Sequence, residues 1–334
     1  MTRTIRLLIF FSTIFFINPI IPMGDYEHIR RISSGEPTNA TSLAISPKGD
    51  LIGIGGKASG KALVKWWDME SGELVGTVNT SRLGYTNYAN SVAFNHDSTL
   101  IAARGCKNIG LWNTKTGEWF QKIGMEHDGS CIAFSPEDQL FTSNFLQLET
   151  CERNELGKFV KKGSENSWIH GRILVGKAYL MKHRVKEGGL QVNERAQLGK
   201  HGSVIRMMPK VTLYDMSPNE KYMVSLEGEA RISIHKIEKD GECVQQLRCP
   251  YSDKDFFAGQ GGKDISSLAL SRDETEVAAV RASTIYLWRN WRSRDSLQEI
   301  PMEGSEVREI AFGSDGTLVA LSKDGSIDMW GEKK

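Results

Sequence analysis

Apolar and polar residues alternate with a period of two in short runs along most of the chain, and Pro, Asp, Asn and Gly separate the runs. That period sends successive side chains to opposite faces, so the runs read as strands and the separators as turns. The runs recur as a phrase: apolar–small–apolar–Ser, a turn, then a second apolar run. It stands at Ser42–Gly56 (SLAISPKGDLIGIGG), Ser91–Gly105, Cys131–Asn144, Leu213–Gly228, Leu268–Val280 and Ile310–Gly325. A third run often follows and ends on an aromatic residue, so Trp67, Trp112, Trp288 and Trp330 hold one relative position. Polar turns, Glu70–Glu73 and Lys115–Glu118 among them, lead into a fourth run.

The anchors of the phrase fall at Ser46, Asn95, Ser135, Ser217, Ser271 and Gly313, at intervals of 49, 40, 82, 54 and 42 residues. The interval of 82 is two repeats long and implies a degenerate unit between Trp168 and Leu198. Four strands in a unit of this length are the signature of a propeller blade. The expected fold is therefore all-β: a seven-bladed β-propeller of four-stranded antiparallel blades. The chain ends after the third strand of the last unit. Glu27–Ile32 (EHIRRI) is placed to supply the fourth strand, closing the ring with no exposed edge at the seam.

With Ala133–Pro136 (AFSP) and the Trp67-Asp68 dipeptide, the chain resembles the WD-repeat family over roughly residues 27–330. The pattern departs from the family's elsewhere. Trp-Asn, Trp-Arg and Trp-Gly replace Trp-Asp, and the opening Gly-His survives only as Glu126-His127 and Lys200-His201. The missing His puts the family's hydrogen-bonded bracing in doubt and leaves strand ladders and aliphatic packing to hold the blades. The resemblance implies a non-enzymatic scaffold that presents a propeller face to partner proteins. Fold analogy alone does not settle function, and an extracytoplasmic ligand-binding, glycan-binding or hydrolytic propeller is the alternative.

The chain divides into a signal-like segment, 1–23, and the propeller, 24–334. Arg3 and Arg6 precede an apolar run from Leu7 to Ile17. That suits a secretory signal or a membrane anchor and an extracytoplasmic protein, secreted or anchored. A start at Met23 would instead make it cytoplasmic.

Composition adds little to this picture except through charge. The net charge is +1, too small to recruit nucleic acid, and no nucleic-acid partner is expected. Residues 153–210, however, hold thirteen Lys and Arg against four Glu and no Asp, a local excess of +9. An acidic partner or an anionic membrane surface would suit Lys161, Lys162, Arg172, Lys182 and Arg184. A second candidate surface lies on the two long loops between blades, Asn79–Asn90 with Arg82, Tyr85 and Tyr88, and Arg248–Ile265 with Tyr251, Phe256 and Phe257. Aromatics beside Arg are the residue types that anchor protein interfaces. By itself the chain is expected to be monomeric.

Catalytic, cofactor and metal motifs do not stand up to inspection, so none is expected. Gly55–Lys61 matches the spacing of a phosphate-binding loop, but Ala62 occupies the Ser/Thr position and a strand follows where a helix is needed. It reads as a hairpin. Gly53-x-Gly55 likewise lacks the helix of a dinucleotide site. The stretch from Asp253 begins like a calcium loop, yet Phe257 and Ala258 stand where an oxygen ligand and a Gly belong. The five Cys show no C-x-x-C spacing and read as free thiols, with Cys243–Cys249 as the one pair an oxidising compartment would leave open.

Overall fold

The computed structural model describes residues 25–34, 38–80, 89–105, 107–144, 146–166, 169–177, 179–184, 189–194, 204–209, 211–227, 230–237, 242–250, 265–293, 296–302, 304 and 306–332. Their strands form seven four-stranded antiparallel sheets. The first strand, β1 (Tyr26–Ile32), belongs to the last of them. Blade 1 is β2 (Thr38–Ile45), β3 (Leu51–Ala58), β4 (Lys61–Asp68) and β5 (Leu74–Asn79). Blade 2 is β6 (Ser91–Phe94), β7 (Leu100–Arg104), β8 (Asn108–Asn113) and β9 (Trp119–Gly124). Blade 3 is β10 (Gly129–Phe134), β11 (Leu140–Asn144), β12 (Gln147–Arg153) and β13 (Phe159–Asn166). Blade 4 is β14 (Ile169–Val175), β15 (Tyr179–Arg184), β16 (Gly189–Glu194) and β17 (Val204–Pro209). Blade 5 is β18 (Val211–Met216), β19 (Tyr222–Glu227), β20 (Arg231–Lys236) and β21 (Cys243–Arg248). Blade 6 is β22 (Ile265–Leu270), β23 (Val277–Arg281), β24 (Thr284–Trp288) and β25 (Leu297–Pro301). Blade 7 is β26 (Val307–Phe312), β27 (Leu318–Ser322) and β28 (Ile327–Glu332), completed by β1, which pairs antiparallel with β28.

The degenerate unit is a full blade. Its anchor is Gly176, the residue after β14, 41 residues from both Ser135 and Ser217. It escapes recognition because only three residues separate its first two strands, whereas five separate those of blade 1, and the Ser-Pro phrase is absent from so short a connection.

No single centre holds the core. Seven apolar clusters each lie between two neighbouring blades, built from the alternate residues that face across the gap. Trp67, Trp112, Trp288 and Trp330 are all buried there. Between blades 1 and 2 the sheets approach closely because β3 is glycine-rich. A Cβ at Gly53 would sit 2.9 Å from Ile101 Cδ1, and one at Gly55 would sit 2.8 Å from the Ala89 carbonyl oxygen. The Gly-x-Gly fragment is thus a packing device. The Ser59-Gly60 turn that follows has φ of +47° and +80°, the geometry of a two-residue hairpin, and not that of a phosphate loop. Gly55→Val should destabilise the fold by about 1–3 kcal/mol through overpacking, read as a lowered urea midpoint with unchanged slope.

The hairpin between the first two strands obeys one rule in six of the seven blades, blade 4 being the exception. The residue three after the anchor has positive φ at Gly49, Ser98, Asp138, Glu220, Glu274 and Gly316. Its N–H donates back to the anchor carbonyl at 2.8–3.2 Å, as from Gly49 to Ser46 and from Gly316 to Gly313. Ser98, at φ +62°, has a buried hydroxyl with no hydrogen bond among the described residues. Ser98→Gly should therefore stabilise by about 0.5–1 kcal/mol, relieved strain outweighing the extra freedom of the unfolded chain. A melting temperature raised by about 1–2 °C is the expected reading.

Candidate functional site

The seven innermost strands enclose a central cavity of about 590 Å³. Leu43, Ile45, Val92, Phe94, Ile132 and Phe134 line it, as expected of the first strand of each unit, with Pro47, His96, Pro136, Pro218 and Arg272 around its mouth.

The polar groups of the channel wall form a girdle. The Leu43 N–H donates to Glu309 Oε2 at 2.7 Å, tying blade 7 to blade 1. The Val92 N–H donates to Ser42 Oγ at 3.2 Å, and the Ile132 N–H to Ser91 Oγ at 3.2 Å. Blades 5 and 6 are joined by Leu270 N–H to Asp215 Oδ2 at 2.9 Å, blades 6 and 7 by Ile310 N–H to Ser267 Oγ at 3.0 Å. The described residues show such a bond at five of the seven blade junctions. In four of them the acceptor stands four residues before its anchor and the donor three before the next, so one repeat position serves each pair. A polar residue at constant offset inside an apolar strand was the available signal, and sequence reasoning missed it. This girdle ties each of these blades to the next. Each side chain also satisfies a backbone N–H that the channel wall would otherwise leave unpaired.

A second polar cluster closes the ring where β1 meets blade 6. The Tyr26 hydroxyl lies 2.7 Å from Glu276 Oε2 and 2.7 Å from the Gly316 carbonyl oxygen. Arg289 Nε donates to Glu276 Oε1 at 2.6 Å, its guanidinium lies 4.5 Å above the Tyr26 ring, and it also pairs with Glu332. Glu276 and Arg289 are each about 5% exposed, so this is a buried ion pair. Burial pushes the Glu276 carboxyl above its ordinary range, against the lowering effect of the Tyr26 and Arg289 hydrogen bonds. Burial, with the Glu276 contact, also raises the Tyr26 hydroxyl well above its ordinary value.

Among the residues expected to bind partners, Lys182 is not a surface residue. It is 1% exposed and its Nζ donates to Glu165 Oε1 at 2.6 Å across the gap between blades 3 and 4. A charge count over 153–210 cannot show this inward face. Lys161, on β13, is held by Glu149 at 2.6 Å and Glu126 at 3.6 Å, which raises the pKa of its ammonium, chiefly through the Glu149 hydrogen bond. Lys162 beside it is exposed. Arg172 and Arg184 fall on β14 and β15, with side chains outside the described set. Arg82, Tyr85, Tyr88, Tyr251, Phe256 and Phe257 also lie outside the described residues, as do segment 1–23 and the stretch resembling a calcium loop.

Cys131, Cys151, Cys243 and Cys249 are free thiols. Cys243 and Cys249 sit at opposite ends of β21, about 20 Å apart at strand rise, so the pair considered from sequence cannot form. Burial pushes the Cys151 thiol up to about 11, away from reactivity. Among the described residues no three His, Cys, Asp or Glu gather as a metal site.

Seven four-stranded blades around a channel, with the first and last strands sharing a blade, define a seven-bladed β-propeller. No family model matches the chain, and no curated protein matches it in sequence. Among solved structures it is similar to the β-propeller domain of Cps50 (Swd1) from Myceliophteria thermophila, with a TM-score of 0.67 and 14% identity over 92% of this chain and 100% of that one. At that identity the likeness shows the fold alone, a β-propeller.

Proposed function

We propose that the protein is a non-enzymatic interaction scaffold whose propeller holds a docking face for partner proteins. The observation that carries this reading is the use made of the channel carboxylates. Glu309 and Asp215 reach the cavity where a hydrolytic or metal-binding propeller would place its ligands, yet each accepts a backbone N–H from the next blade. The girdle spends its polar chemistry on rigidity, and a rigid frame lowers the ordering cost of binding. The docking residues we assign are those of the two long loops, Arg82, Tyr85, Tyr88, Tyr251, Phe256 and Phe257. The exposed cations of the basic segment form a secondary acidic-partner or anionic-membrane surface. The signal-like segment supports a secreted or membrane-anchored scaffold, and a start at Met23 would make it cytoplasmic.

Affinity capture from the native host, comparing wild type with Tyr85→Ala/Phe256→Ala, tests the reading. A stoichiometric partner lost in the double variant is expected. Identical recovery from both proteins would sink the loop assignment. Stoichiometric calcium in the purified protein would favour a ligand-binding or hydrolytic propeller instead.

A further inference from the structure

Among the described residues every blade ends in an outer strand with one edge that pairs with no other strand of the chain, and such an edge pairs with strands from outside unless charge, Pro or a bulge discourages it. The seven outer strands differ in how they do so. β1 (YEHIRRI), β9 (WFQKIG), β13 (FVKKGSEN), β17 (VIRMMP), β21 (CVQQLR) and β25 (LQEIP) each carry a charged residue, and two of them also a Pro. β5 (LVGTVN) alone carries neither. Six outer strands have a register shift, near the start in β5, β9, β17 and β21 and mid-strand in β1 and β13, and β25 pairs regularly. In β5 the shift falls at Val75, so Gly76–Asn79 remains a straight edge.

The rest of β5 favours pairing. Leu74 is 51% and Val75 42% exposed, adjacent apolar side chains on the rim. The edge is also stiff: a Cβ at Gly76 would sit 2.0 Å from Trp66 Cζ2, so the strand lies flat on a fully buried indole. Charge is arranged end to end. Exposed Glu70 and Glu73 precede β5, and exposed Lys61 stands at the hairpin beside its far end, two residues before the Leu63–Asn79 pair.

We propose that two copies of this chain associate through blade 1, β5 against β5, antiparallel about a two-fold axis. Thr77 then faces Thr77 of the second copy and Gly76 faces its Val78. The acidic end of each strand meets the basic end of the other, twice by symmetry. Pairing in the parallel sense would set like charges together. The blades merge into one eight-stranded sheet, and the exposed Leu74 and Val75 are covered. The resulting dimer replaces the monomer expected from sequence, and it stands whether or not the scaffold reading does.

Sedimentation equilibrium of the full-length chain across a concentration series tests it, alongside Thr77→Lys on β5 and Gln246→Lys on β21. A monomer–dimer equilibrium is expected, with the dissociation constant raised at least about tenfold by Thr77→Lys and unchanged by Gln246→Lys. Near-ultraviolet circular dichroism establishes that each variant is folded. Should Thr77→Lys fail to fold, hydrogen exchange on the wild type decides: amides 76–79 should slow as concentration rises. A wild type that stays monomeric overturns the proposal, and so does a dimer that Gln246→Lys weakens equally. Exchange at 76–79 independent of concentration overturns it too.

Discussion

Arg289→Met is expected to destabilise the folded protein by about 3–5 kcal/mol at pH 7, the cost of leaving a buried carboxylate without its cation. Arg289 binds Glu276 at 2.6 Å, stacks over Tyr26, and pairs with Glu332 at the end of the strand that β1 completes. Its loss therefore acts at the seam of the ring. The deficit should depend on pH in a definite sense. Burial already raises the Glu276 carboxyl in the folded protein, and Arg289 is one of the groups holding it down. Without the guanidinium the folded pKa rises further, while the unfolded value stays near 4.3. The folded state then keeps a proton that the unfolded chain releases. Its penalty is full above the raised pKa and shrinks as pH falls from there toward about 4.3. Urea unfolding at a series of pH values reads this directly. A deficit that does not change with pH would mean that Arg289 acts through its stacking on Tyr26. Arg289→Met/Glu276→Leu should recover most of the loss, because two apolar side chains leave no charge stranded.

Trp66→Ala should cost about 3–5 kcal/mol for a different reason, the cavity left by the largest fully buried side chain among the described residues. Trp66 fills the layer between blades 1 and 2, supports Gly76 from below, and donates its Nε1–H to the Thr114 carbonyl oxygen at 2.8 Å in the neighbouring blade. Trp66→Phe keeps most of the volume and loses that bond, so its cost should be about 1–2 kcal/mol. Trp119, 39% exposed on β9, provides the contrast, and its replacement by Ala should cost under about 1 kcal/mol. Equal losses at Trp66 and Trp119 would show that the layer between these blades relaxes freely and would remove the argument.

These two sites differ in how far the sequence announces them. Trp67 and Trp112 are visible because the repeat returns them to one position, and both are buried as that position requires. Trp66 precedes Trp67 in an alternating strand and reads as outward-facing. It is buried because blade 2 covers that face, and no local pattern in blade 1 records what its neighbour presents. Arg289 reads as a turn residue after Trp288. Its partners lie 13 and 43 residues away, and the Tyr26 ring is farther still.

The same division runs through the whole protein. Strand period, turn residues and the missing fourth strand of the last unit can be read along the chain, so the sequence by itself determined the repeat, the blade count and the closure by β1. Three things were decided only by tertiary structure: that Lys182 points inward to Glu165, that Glu309 and Asp215 each accept a backbone N–H from the next blade, and that β5 is left as the uncharged edge. Each depends on which face of one blade meets the next or meets solvent. That is set by the closed ring, where residues hundreds of positions apart become neighbours and the burial of a charge is fixed by what lies across the gap.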